Sequence, residues 1–205
     1  MNLLILDYEM GNLLSVKKAI DYVSKDDAII SSEPSDIAKA DKIIMPGVGH
    51  FSQAMTKLIE KDLVIHLNEA VVNKNVPILG ICLGMQLMSS FSEEGSVEGL
   101  GWVDAQVLKF KPEDKSKFKV PHIGWNRVKN QESNILFNSS KPDDEYYFVH
   151  SYYVNLTDQS VKKSYTKYSN TFCSAFQLEN IFGVQFHPEK SHDAGLNLFK
   201  NFIEL

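Results

Sequence analysis

The chain has 205 residues, 43% of them hydrophobic and 23% charged, and a formal net charge of -5. This is an ordinary globular composition, long enough for one hydrophobic core, so residues 1–205 are read as a single domain. Arg127 is the only arginine, the lysines are scattered, and no apolar run approaches the roughly 20 residues a bilayer requires, which argues against nucleic acid and membrane as partners.

The N-terminus has no basic region or cleavage pattern, so Leu3 to Asp7 reads as a first strand and the expected location is the cytoplasm. Leu13, Val16, Ala19, Ile20 and Val23 recur at helical spacing and predict a helix over 13–23. Asp27 to Ser31 predicts a second strand, Ile37-Ala38 a short helical turn, and Lys42 to Met45 a third strand ending in Pro46-Gly47-Val48-Gly49. Phe51 to Glu60 and Val64 to Asn73 read as helices. Val76 to Ile81 is another strand, and a helical pattern begins near Met85.

This alternation predicts an open, mostly parallel sheet flanked by helices, with its functional crevice at the strand C-termini. Beyond about residue 95 the texture changes to short runs, Val103 to Phe110, Trp125 to Lys129, Tyr146 to Tyr153 and Thr171 to Gln177, which predict an additional antiparallel β portion. Ile181 to Phe186 reads as a strand stopped by Pro188, and Ala194 to Ile203 as a closing amphipathic helix. The fold class is α/β.

Gly80-Ile81-Cys82-Leu83-Gly84 places Cys82 at a strand-to-helix turn with glycines two positions before and after it. In such a nucleophile elbow the reactive residue is strained and its small neighbours let strand and helix approach closely. The helix N-terminus behind it favours a thiolate. His187-Pro188-Glu189 lies at a strand end, and Glu189, two residues on, can hold one tautomer of the imidazole. Cys82, His187 and Glu189 therefore outline a nucleophile, a base and an orienting carboxylate. Cys173 reads as structural, His150 as structural or supporting, and His50, His66, His122 and His192 as surface or packing residues without partners. No Cys or His cluster has metal-ligand spacing, so neither a metal nor a cofactor is expected.

Taken together, Pro46 to Gly49, Gly80-Ile81-Cys82-Leu83-Gly84-Met85-Gln86 and Gln185-Phe186-His187-Pro188-Glu189-Lys190 resemble the class I, triad-type glutamine amidotransferases over nearly the whole chain. Asp7-Tyr8-Glu9-Met10-Gly11-Asn12, Pro121 to Asn126 and Tyr147 to Tyr152 are most similar to the glutaminase subunits of imidazole glycerol phosphate synthases. Glu9 departs from that pattern, which carries a small residue there, commonly glycine.

The resemblance implies hydrolysis of L-glutamine through a Cys82 thioester. The backbone amide of Leu83 and that of Val48 or Gly49 would form the oxyanion hole, and Gly49, Gln86, Glu94 and Ser151 would contact substrate. Glu94 reads equally as a solvated helix-end carboxylate, and Ser151 as a strand hydroxyl. The resemblance also implies a heterodimer with a (β/α)8-barrel cyclase or synthase subunit, docked through Asn12, Trp125, Tyr147 and Lys190. Trp125 and Tyr147 read equally as core aromatics. A second reading directs the ammonia to a synthase for amidino sugars of surface polysaccharide, on the strength of Glu98 to Trp102 and Lys190 to His192.

Overall fold

The computed structural model describes residues 1–130, 134–158 and 160–205. Its first half alternates β1 (Leu3–Leu6), α1 (Leu13–Val23), β2 (Ala28–Ser31), α2 (Pro34–Lys39), β3 (Lys42–Gly47), α3 (Phe51–Glu60), α4 (Leu63–Asn68) and β4 (Ile78–Cys82). The helix read over 64–73 is two pieces, because α4 passes into a π-helical turn at Glu69–Asn73, where Lys74 N–H donates to the Glu69 carbonyl. After β4 come α5 (Leu83–Leu87), β5 (Ser89–Ser92), β6 (Val97–Glu98), β7 (Val103–Lys109), β8 (His122–Arg127), β9 (Lys129–Asn130) and β10 (Glu145–His150). The chain closes with β11 (Tyr152–Leu156), β12 (Lys162–Lys167), β13 (Thr171–Leu178), β14 (Ile181–Val184) and α6 (His192–Ile203).

Strands β2, β1, β3, β4 and β14 lie side by side and parallel, and β13, β11, β7, β5 and β6 extend the same sheet with mostly antiparallel pairings. A separate two-stranded sheet pairs β8 with β10. The open parallel sheet with an added antiparallel portion is the architecture expected from the sequence.

All residues of β1, β3, β4 and β14 are buried, as strands covered on both faces require. Alternation then sends successive side chains into two cores. Leu3, Ile5, Ile44, Leu79 and Ile81 pack with Val16 and Ile20 of α1 and Leu198, Phe199 and Phe202 of α6. On the opposite face, Leu4, Leu6, Ile43, Met45 and Ile78 meet Ile37, Leu58, Leu63, Leu67 and Met85. Each such burial contributes about 1.5–3 kcal/mol.

Two further sequence expectations are corrected. The run Tyr146 to Tyr153 is not one strand: it bends at Ser151, sending β10 to pair with β8 and β11 to pair with β7 and β13. The helical pattern after Cys82 ends after five residues. The Leu87 carbonyl there accepts from Leu100 N–H, and the Met88 carbonyl from Trp102 and Val103, so the chain joins the sheet as β5 instead of continuing a helix.

Lys42, almost buried, reaches the carbonyls of Phe202, Ile203 and Leu205 at 3.2, 2.5 and 3.2 Å and satisfies the end of α6. Lys42→Met is expected to cost about 2 kcal/mol, roughly 4–8 °C in Tm. Thermal denaturation checks this, and an unchanged Tm would show that water serves those carbonyls equally well.

Candidate active site

Cys82 ends β4 and opens α5 with φ 54° and ψ -106°, the strained elbow expected for a residue between strand and helix. The flanking glycines are required by close approach. A Cβ on Gly84 would lie 1.8 Å from the Met45 carbonyl oxygen, and one on Gly80 2.7 Å from Met85 N. Because Met45 belongs to the central strand β3, little can yield. Gly84→Ala is expected to cost several kcal/mol and abolish recovery of folded protein; expression with circular dichroism tests this, and a native-like spectrum and Tm would refute it.

The parallel pairing of β14 with β4 sets Val184 beside Ile81, so the segment leaving β14 runs past Cys82. His187 follows in extended conformation, its backbone N–H held by the Tyr147 carbonyl at 2.9 Å. Its Nδ1 lies 2.8 Å from Glu189 Oε1, and both side chains are almost wholly buried. The carboxylate can only accept, so Nδ1 carries the proton and Nε2 is left as the working nitrogen. Nε2 is buried and has no hydrogen-bond partner among the described residues. Burial disfavours the charged imidazole, but the neighbouring Cys82 sulfur and the Glu189 carboxylate outweigh it and raise His187 to about 10.

Cys82 and His187 open into a cavity of about 370 Å³, lined also by Val48, Gly49, Leu83, Gln86, Glu94, Ser151 and Tyr152. Apart from Glu189 behind His187, the residues expected to attack, activate or hold substrate thus meet at one cleft beside the C-terminal ends of β3 and β4. A larger cleft of about 570 Å³ beside β9 shares no residue with it and contains neither cysteine nor histidine.

Gln86 donates through Nε2 to the Tyr152 carbonyl and to Gln185 Oε1, both at 3.0 Å, leaving its Oε1 as the group available to a ligand. Glu94 lies beyond β5, not at the end of its own helix, and its Oε2 accepts the Phe51 N–H at the start of α3. Ser151 stands at the bend between β10 and β11. The Leu83 N–H begins α5 and has no intrahelical acceptor. Val48 departs from its expected role: its N–H donates to the Met10 carbonyl at 3.1 Å, which leaves Gly49, at φ 110°, as the loop's candidate donor.

Glu9, the unusual residue of its motif, has φ 66°, and its carboxylate is held by Lys57 and Lys61, each at 2.9 Å. Ion pairing to α3 and the residue that follows it accompanies a backbone conformation that glycine would adopt more easily. Trp125 is 44% exposed, opposite Tyr147 across the β8–β10 pair, and stacks on His192 at 4.9 Å. Lys190 Nζ lies 5.7 Å from the Tyr147 ring centre. Trp125, Tyr147 and Lys190 thus form one aromatic and cationic patch, and Asn12, also exposed, precedes α1.

Sequence reasoning left His122 without a partner, yet its Nδ1 lies 3.0 Å from His150 Nε2 in a buried pair. It also passed over Gln185, whose position two residues before His187 in an extended segment was the available signal. Cys173 is buried, and desolvation pushes its thiol up to about 12, as befits a structural residue.

An elbow cysteine beside a carboxylate-held histidine, at the C-terminal ends of parallel strands, is an arrangement suited to thiol-dependent acyl transfer. The chain belongs to the class-I glutamine amidotransferase family, whose profile matches residues 8–205. Within it, the chain is similar to imidazole glycerol phosphate synthase subunit HisH 2 of Methanococcus maripaludis, 48% identical over 98% of both chains. It is 42% identical to subunit HisH of Leptospira borgpetersenii, again over 98% of each. Among solved structures, the glutaminase domain of Trypanosoma brucei CTPS with bound acivicin has the same fold, with a TM-score of 0.70 at 16% identity over 99% of this chain and 92% of that one.

Proposed function

We propose that the chain is the glutaminase subunit of an imidazole glycerol phosphate synthase. It hydrolyses L-glutamine to glutamate and ammonia, and passes the ammonia to a cyclase subunit that makes imidazole glycerol phosphate and aminoimidazole carboxamide ribotide in histidine biosynthesis. The observation that carries the chemistry is the convergence of Cys82 and the Glu189-held His187 on one cavity.

In this reading the Cys82 sulfur attacks the side-chain amide carbon, and the carbonyl π electrons move onto oxygen. The N–H groups of Leu83 and Gly49 receive that oxyanion; one such donor is worth about 2.7–4 kcal/mol in the transition state. As the C–N bond breaks, His187 Nε2 delivers its proton to the departing nitrogen, releasing ammonia and leaving a thioester. His187 then takes a proton from water, hydroxide adds to the thioester, and collapse returns the thiolate and glutamate. Glu189 keeps Nε2 directed at these transfers. Gln86 Oε1, the Glu94 carboxylate and Ser151 supply acceptors and a hydroxyl for the polar ends of the substrate.

The cyclase subunit, a (β/α)8 barrel, docks on the patch formed by Trp125, Tyr147 and Lys190, with Asn12 alongside. An exposed tryptophan, a half-buried tyrosine and a cation suit such an interface. Mass spectrometry after treatment with an electrophilic glutamine analogue tests the reading of the site. One adduct on Cys82, prevented by glutamine, is expected, and an unmodified Cys82 would contradict it.

A further inference from the structure

Gln185 is completely buried, and its carboxamide Nε2 lies 3.6 Å from Cys82 Sγ. It follows Val184, which pairs with Ile81, and so comes level with the nucleophile. The orientation of this amide is set by a chain of groups anchored on the Tyr152 carbonyl. A carbonyl only accepts, so Gln86 must present Nε2 to it. The same Nε2 lies 3.0 Å from the Gln185 side chain, and the atom it meets there must be the acceptor Oε1. Nε2 of Gln185 is therefore the end that faces sulfur.

The second lone pair of the Tyr152 carbonyl takes His150 Nδ1–H at 2.7 Å. His150 Nε2 must then accept, His122 Nδ1–H donates to it at 3.0 Å, and His122 Nε2 faces the Asn126 amide at 3.4 Å. Burial holds both rings neutral, His122 at about 4 and His150 at about 3, so no proton reverses this polarity near neutral pH.

We propose that Gln185 is a further catalytic residue of this site, its side-chain N–H stabilising the Cys82 thiolate, and that the Tyr152 carbonyl, acting through Gln86, fixes it in that orientation. An N–H bond to a neutral thiol is weak and becomes charge-assisted once sulfur ionises, so the contact favours the attacking form. The ionisable groups around the sulfur among the described residues are His187 beyond β14, Tyr8 beyond β1, His150 on β10, Tyr152 on β11 and Glu94 beyond β5. Tyr8 remains a neutral phenol, because burial and then the nearby Cys82 sulfur raise it well above its ordinary range. Gln185 is the donor that titration cannot remove. The proposal rests on the glutaminase reading for its catalytic meaning, and its test does not require turnover.

The test is the pH dependence of iodoacetamide alkylation at Cys82 in the full chain, followed by peptide mass spectrometry. Cys173, whose thiol burial pushes up to about 12, serves as the unreactive control. Gln185→Glu keeps the acceptor that Gln86 needs and replaces the donor with an anion. It should move half-maximal alkylation up by about one pH unit or more. Gln185→Met, which removes the donor without adding charge, should move it in the same direction by about half a unit, and decides the matter should Gln185→Glu not fold. Wild-type profiles in the folded variants would overturn the proposal. A wild-type chain that is alkylated normally but releases no glutamate even with the loaded cyclase would instead overturn the glutaminase reading.

Discussion

Cys82→Ala is expected to lower glutamate release by at least about 10⁴-fold, because the remaining residues can bind glutamine and polarise its amide but cannot form the thioester. The fold should survive. Cys82 already occupies a positive-φ position, alanine is no larger, and the exclusion around the elbow comes from Gly80 and Gly84. The variant should also lower the value at which His187 titrates, since the sulfur is the leading influence raising it against burial. Steady-state glutaminase assay and proton NMR of the His187 ring read the two effects. Residual activity near the wild-type rate would remove Cys82 from the mechanism.

Glu189→Gln should reduce kcat by about 10²–10⁴-fold with a smaller change in KM, since an amide can donate to Nδ1 and stabilise the wrong tautomer. It should also change the pH dependence of stability. Burial lowers His187, while Cys82 and Glu189 together raise it from 6.5 to about 10, so the protonated ring stabilises the folded state. That contribution is complete below about pH 6.5 and is lost as pH rises through about 10. With the carboxylate gone the folded-state value falls, the window narrows, and Tm should depend less on pH over that interval than in the wild type. Parallel wild-type and variant curves would show that Glu189 contributes nothing to the charge on His187.

The parallel half of the sheet was legible because β1, β3 and β4 are buried on both faces and therefore read as uninterrupted apolar runs. The elbow was legible because Gly80 and Gly84 answer a local steric demand. Features set by tertiary register were not. The bend at Ser151 lies inside a run of aromatic and β-branched residues that gives no local sign of a break, and two different sheets claim its halves. His122 found its partner only through the antiparallel register that sets it opposite His150. The loop from Pro46 to Gly49 could be assigned to the oxyanion site, but which amide it offers depends on Met10 taking the Val48 N–H, a contact between segments nearly forty residues apart. The short α5 escaped as well, because its end is fixed by the backbone of residues 100–103 and not by any breaker of its own.

The central claim, that this site releases ammonia from glutamine for a cyclase, is tested most directly by glutamate release from the purified chain. The assay compares the chain alone, with its genome's histidine-pathway cyclase, and with that cyclase bound to its ribonucleotide ligand. The account predicts low release alone and strong stimulation by the loaded cyclase, abolished by Cys82→Ala. An unchanged rate with the loaded cyclase, while Cys82 still reacts with a glutamine analogue, would contradict the histidine-pathway assignment and direct the ammonia to a different synthase.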